Sequence, residues 1–160
     1  MLSLTRNSNR IDTSKVGHKL HKLAFVIDRK TDQILLERLG ISLSQYLLMY
    51  GAASKFQTTQ CGVAKFLNLT QAAISRQVEG LVERDLLKKT QNEENRREHL
   101  LVLTPSGQKT FEEAQELIHV TFTELLENIP SSDLAIFSSV IERLLSTTCN
   151  PLSLTKGEQT

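Results

Sequence analysis

The sequence predicts a mainly α-helical chain broken once by a short β-hairpin, and three observations predict it. Long stretches from about Ser14 to Gly40 and from Thr104 to Asn150 carry apolar residues at helical spacing. Between them, residues 58–84 hold two shorter helical patterns joined by a tight polar turn. Two strand-like runs follow, LLKKTQ and EHLLVLT, separated by the polar residues NEENRR.

The composition suits that class. A chain of 160 residues, 39% hydrophobic and 23% charged, is long enough to bury a core of its own. No apolar run approaches the roughly 18–20 residues of a membrane span, and the start MLSLTRNSNR lacks a signal peptide's apolar region. A cytoplasmic protein with no membrane partner is expected. Net charge is only +1, but residues 1–30 hold seven Lys or Arg against two Asp, while residues 101–160 hold three basic side chains against eight acidic. Ends of opposite charge suggest that the terminal helices meet, within one chain or between two; two solvated faces would show the same imbalance.

Each element has its own local signals. Residues 1–12 are polar and are expected to fray. Val16, Leu20, Leu23, Ile27, Ile34 and Leu35 mark one long first helix, closed by Gly40 as a C-terminal cap. Such a helix buries its stripe poorly against a small domain, which calls for helix partners from the C-terminus or a second subunit. Ser42 and Gln45 form a capping box for a helix reaching about Ser54, which carries Tyr46, Leu47, Met49 and Tyr50. Thr58 or Thr59 caps a short helix ending near Leu67; Asn68 suits the tight turn, and Thr70 caps a helix to about Arg84. After the hairpin, Thr104 and Pro105 mark another helix start. Its stripe is Phe111, Ala114, Ile118, Phe122, Leu125 and Ile129, and Pro130 ends it. Ser131 or Ser132 caps the last helix, with Leu134, Phe137, Val140, Ile141, Leu144 and Leu145 expected to be buried, before a polar tail from Pro151.

Helix, short turn, helix and two-stranded hairpin make a winged helix-turn-helix, whose second helix enters the DNA major groove while the wing reaches the backbone or minor groove. Ile74, Val78 and Leu81 fall at i, i+4 and i+7 and pack inward, leaving Gln71, Ala72, Ser75, Arg76 and Glu79 outward. Gln, Ser and Arg near a helix N-terminus supply donors and acceptors for base edges and phosphates. A solvated face has a similar composition, so the hairpin supplies the second observation. Arg96 and Arg97 stand at its tip, where guanidinium groups reach phosphates or a narrow minor groove. Lys65, Lys88 and Lys89 add cations on neighbouring elements, diluted by Glu93, Glu94 and Glu98.

Residues 34–107 resemble the MarR family of bacterial winged helix-turn-helix transcriptional regulators. GISLSQYLLM is similar to the segment leading into the family's second helix, VAKFLNLTQAAISRQVEGLVERDLL to its helix-turn-helix, and NRREHLLVLTPSG to its wing, which ends in Leu-Thr-x-x-Gly. The resemblance implies a mainly α fold of six helices, with the hairpin between the fourth and fifth. It implies a homodimer built by residues 1–40 and 105–150, a winged helix-turn-helix DNA-binding domain over 41–104 and a tail over 151–160. Two recognition helices and two wings would read a pseudo-palindromic site in double-stranded DNA at the bacterial nucleoid, where the dimer blocks or assists polymerase, and of the two a repressor is expected. Carried over by position, Gln71, Ser75, Arg76 and Gln77 would contact DNA, Thr70 would cap and touch phosphate, and Arg97 would be the wing arginine. The chain departs from the family at Asn95, which replaces an Asp that orients that arginine, at Asp85, which stands in a position often held by Gly, and at Gly80 inside the recognition helix.

Members of the family often sense small phenolic compounds, oxidants or metals, so a small-molecule effector is a further expectation, with Tyr46, Met49 and Tyr50 as candidate pocket residues. His18 and His21 lack a carboxylate or Cys to complete a metal site, and Cys61 reads as a small core residue more readily than as a redox thiol. Cys149 sits near the tail, within reach of cross-linking subunits. No cofactor is expected. An enzyme is not expected either, since no nucleophilic triad, phosphate-binding Gly loop or metal cluster is legible. The competing reading is a non-catalytic adaptor whose winged helix binds protein.

Overall fold

Asp12 starts the first helix. Its carboxylate accepts the N–H groups of Ser14 (3.1 Å) and Lys15 (3.3 Å), satisfying donors that have no partner inside the helix. In the computed structural model, which describes residues 12–54, 59, 63–64, 70–92 and 99–148, this helix is α1 (Thr13–Leu39). Gly40 ends it in the left-handed conformation (φ 65°), with its N–H donating to Leu36 O at 3.0 Å. α2 (Leu43–Ala53) opens on the expected capping box: Ser42 Oγ accepts Gln45 N (3.1 Å), and Gln45 Oε1 accepts Ser42 N (3.0 Å). A contact not signalled locally joins the two helices, because Asp32 Oδ1 accepts the Leu43 N–H at 2.7 Å.

The short helix expected to end near Leu67 falls largely outside the described residues; Val63 and Ala64 are helical and buried, with Val63 N donating to Thr59 O at 3.0 Å. α3 (Gln71–Glu83) follows, capped by Thr70, whose Oγ1 accepts Ala73 N at 3.2 Å. β1 (Leu87–Gln91) and β2 (His99–Leu103) pair antiparallel in the register Leu87↔Leu103 to Gln91↔His99. α4 (Pro105–Leu126) and α5 (Ser131–Thr148) complete the order.

The chain divides into two compact units, Met1–Thr121 and Phe122–Thr160. In the first, Leu35, Ile41, Leu48, Met49, Val63, Ile74, Val78, Leu81, Leu87 and Leu101 are almost wholly removed from water, with Phe111 and Ala114 of α4 joined to the same core. Each such Leu or Ile contributes about 1.5–3 kcal/mol by leaving water. The inward set expected of α3, Ile74, Val78 and Leu81, is fully buried, which aims the opposite face of that helix at solvent.

The stripe of the last helix differs from the burial expected of it. Phe137, Val140, Leu144 and Leu145 of α5 are 44–53% exposed, and Phe122, Leu125 and Ile129 remain open as well. Val16, Leu20 and Leu23 of α1 are likewise open. The helical period was legible; what covers these stripes is not part of a local pattern. α4 also stops at Leu126, short of Ile129, whose N–H turns back to Leu126 O at 3.0 Å. Pro130 takes the capping position expected of Ser131 or Ser132, its carbonyl accepting Leu134 N at 3.1 Å.

Candidate nucleic-acid interface

The exposed face of α3 is fixed from both ends. At its start, Thr70 caps the helix and leaves the N-terminal end of the helix dipole facing solvent, where an anion is favoured. Along the helix, burial of Ile74, Val78 and Leu81 leaves Ala72, Arg76 and Glu79 exposed, while Ser75 and Gln77 are half-buried. Arg76, Gln77, Ala73 and Gln45 of α2 line an open groove of about 330 Å³. Gln45 spends its oxygen on the capping box, so its amide N–H groups are the part that remains for the groove.

At its C-terminal end the chain turns sharply into the hairpin. Asp85 adopts φ 55°, the left-handed conformation for which the family-like position favours Gly, and the N–H of the next residue, Leu86, donates to Leu81 O at 2.9 Å. Thr104 then ties the hairpin's far end back to this turn. Its hydroxyl donates to Asp85 O at 2.5 Å and accepts Gly107 N at 2.9 Å, while its own N–H donates to Leu86 O at 3.2 Å. One buried threonine thus closes the turn after α3 and caps the start of α4. The Leu-Thr-x-x-Gly run marks this junction.

The wing's base carries Lys88 and Lys89, both exposed, and Lys89 stands opposite the buried Leu101 in register. Of the candidate DNA contacts, Thr70, Ser75, Arg76 and Gln77 lie together on or at the start of α3; the Gln71 side chain, Lys65, Arg96 and Arg97 lie outside what the structure describes. Asn95, Cys61 and Cys149 lie outside it too.

The aromatic candidates occupy a different place. Tyr46 stacks on Phe111 of α4, with ring centroids 5.6 Å apart and planes 17° from parallel, and Tyr50 meets the same ring at 6.2 Å. Burial first, and the neighbouring Tyr50 second, push the Tyr46 phenol above its ordinary pKa. Met49 is fully buried in the core, whereas Tyr50 is 45% exposed. An open groove of about 410 Å³ lies instead between α1 and α2, where Phe25, Asp28, Arg29, Leu43 and Leu47 line it. The Arg29 guanidinium lies 6.0 Å from the Phe25 ring centroid. Among the described residues, no group of three or more His, Cys, Asp or Glu side chains is placed to hold a metal ion, and no helix is long and apolar enough to cross a membrane.

Sequence reasoning missed two residues that frame the interface. Asp32 binds the first N–H of α2, and Arg84 binds the end of α1, with Nη1 donating to Gly40 O at 2.7 Å and Nη2 to Leu39 O at 3.1 Å. Both partners lie far away in sequence, and no local pattern announces them.

Known proteins share this arrangement. The model of the MarR family matches residues 41–99. The uncharacterized HTH-type transcriptional regulator YwoH of Bacillus subtilis is 27% identical over 128 residues, covering 80% of this chain and 92% of its own. A mutant MarR from E. coli complexed with operator DNA has the same fold, with a TM-score of 0.64 and 22% identity over 79% of this chain and 94% of that one. CouR from Rhodococcus jostii, bound to p-coumaroyl-CoA, matches with a TM-score of 0.71 and 21% identity over 84% and 92%.

Proposed function

We propose that this chain, a winged helix-turn-helix transcriptional regulator of the MarR family, binds a pseudo-palindromic site in double-stranded DNA as a homodimer and acts there as a repressor. The observation that carries the reading is α3: a capped helix whose apolar side is sunk in the core and whose opposite side presents Arg76 beside Ser75 and Gln77. We assign DNA contact to Lys65, Thr70, Gln71, Ser75, Arg76, Gln77, Arg96 and Arg97. Residues 41–104 are the reader in this proposal, and residues 1–40 and 105–150 the dimerising part. The MarR complex with operator DNA supports the docking mode. Action at the nucleoid, in the cytoplasm, follows from the same reading.

Dimerisation is supported by the open apolar stripes. Ile136, Phe137, Val140, Leu144 and Leu145 on α5, and Val16, Leu20, Leu23 and Val26 on α1, are 43–65% exposed, and each helix thus carries a row of large apolar side chains open to water. Charge favours pairing across copies as well. α1 holds six Lys or Arg against three acidic residues, and α4 holds four Glu against one Lys. Phe137→Asp should therefore yield a folded monomer by sedimentation, because a carboxylate in the seam costs several kcal/mol while the same residue is open in one chain. An undiminished dimer would remove α5 from the interface.

A small-molecule effector is the second part of the proposal, supported by the p-coumaroyl-CoA complex of CouR. Surfaces open to it include the groove between α1 and α2 and the exposed part of Tyr50. Such a ligand releases DNA only by binding better to a state in which the two α3 helices no longer match half-sites about one helical turn apart.

Selection from a random pool of DNA duplexes with purified protein tests the function. Enrichment of inverted half-sites centred about 10 bp apart is expected. Recovery no better than the starting pool would overturn the proposal, and capture of a protein partner in its place would favour an adaptor.

A further inference from the structure

We propose that Arg84 is a positioning residue for DNA reading, which fixes the C-terminal end of the recognition helix to the C-terminal end of α1; the inference rests on the DNA-binding function above. Arg84 is the C-cap of α3, directly before the left-handed Asp85. From there its guanidinium spans 44–45 residues of sequence to donate to Gly40 O at 2.7 Å and Leu39 O at 3.1 Å. The last carbonyls of a helix have no partner within it and form the negative end of its dipole, and a planar guanidinium fork meets two of them at once. Gly40 contributes by its own turn: in the left-handed conformation it carries no side chain, and a Cβ there would stand 3.5 Å from Arg84 Nη2.

The bond matters because of what it joins. α1 packs chiefly on α2 and is tied to that helix's first N–H through Asp32 at 2.7 Å, so α2 and α3 each hold the last turns of α1 by a polar contact. The other end of α1 carries the open apolar stripe assigned to the partner subunit. Arg84 therefore lies on the direct route from the dimer seam to the helix that reads DNA. Loss of the fork leaves α3 intact and frees its angle relative to α1, so the two α3 helices of a dimer match paired half-sites less well.

Three properties separate positioning from other roles. The Arg84 side chain is exposed, so water replaces it at the two carbonyls and folding stability changes little. An arginine that touched phosphate would, when removed, lower the salt slope of binding by about 0.9 and weaken all duplexes alike. A positioning arginine alters neither the slope nor the affinity for unrelated DNA.

The test is Arg84→Gln and Arg84→Lys in the full-length protein, with affinity measured for the selected duplex and for a scrambled duplex over a series of salt concentrations, beside thermal melts. Expected for Arg84→Gln is a loss of about tenfold on the selected duplex alone, with the salt slope and melting temperature kept. Arg84→Lys, able to hold one carbonyl, should fall between. Unchanged affinity, an equal loss on both duplexes, a reduced slope, or a loss explained by a lowered melting temperature each overturns the positioning role. Wild-type protein that does not distinguish the duplexes overturns the DNA-reading function itself, and the positioning role with it.

Discussion

Gly107→Ala is expected to destabilise the first unit by about 3 kcal/mol or more, a large share of the roughly 5–15 kcal/mol that holds an ordinary domain together. A Cβ on Gly107 would stand 1.8 Å from Leu86 O and 2.8 Å from its carbonyl carbon. The obstacle is backbone, with no side-chain rotation to relieve it. Nor is Leu86 free to retreat: it is buried, its N–H is held by Leu81 O, and its carbonyl accepts Thr104 N. Moving it would also disturb the Thr104 hydroxyl, which bonds Asp85 O and Gly107 N together. Urea unfolding followed by circular dichroism should show a much lower midpoint or a loss of the cooperative transition. Gly80→Ala is the matched control. There a Cβ meets only Gln45 Nε2, at 3.8 Å, and replacing glycine inside a helix should stabilise by about 0.5–1 kcal/mol. Equal midpoints for Gly107→Ala and wild type would show that α4 does not approach the turn after α3 as closely as described.

The double change Arg76→Ala with Arg97→Ala is expected to weaken binding to the selected duplex by a hundredfold or more, at about 1–3 kcal/mol for each arginine that meets a base edge or phosphate. Arg76 is exposed on α3, beside the half-buried Gln77 and the groove shared with Gln45. Arg97 comes from the wing sequence NRREHLLVLTPSG, whose tip lies outside the described residues. A slope of log affinity against log salt shallower by about 0.9 for each phosphate contact removed should accompany the loss. The fold should be untouched, since Arg76 contributes nothing to the core. Affinity and slope both equal to wild type would exclude these arginines from the interface and favour the adaptor reading.

The parts of the fold legible in the sequence are those fixed by short-range chemistry. Ser42 with Gln45, Thr70, Thr104 with Pro105, and Gly40 each stabilise a helix end through bonds within about four residues, and each end stands where those residues put it. The inward trio Ile74, Val78 and Leu81 follows from the helical period alone. Asp85 in the left-handed conformation was also foreseeable, because Asp tolerates it better than most residues.

What escaped the sequence depends on distant partners. The bonds from Arg84 to Gly40 and Leu39, and from Asp32 to Leu43, exist because folding brings helix ends together. Gly107 was visible as the end of a family-like signature, yet its reason, contact with Leu86 O, is a tertiary fact. The stripe on α1 is open, as its length against a small domain predicts, whereas the stripe on α5 was expected to be buried and is open too; periodicity says which face is apolar and leaves open what covers it. Met49 belongs to the core, whereas its neighbour Tyr50 is partly exposed.

Sequence-specific reading of DNA by a dimer is the claim on which the rest depends, and a competition titration at about 150 mM salt tests it most directly. The selected palindromic duplex and a scrambled duplex of equal length compete for wild-type protein, with the mass of the complex recorded. Two chains per duplex and a preference of about a thousandfold or more for the palindrome are the expected result. Equal affinity for the two duplexes, or one chain per site at full specificity, would contradict it.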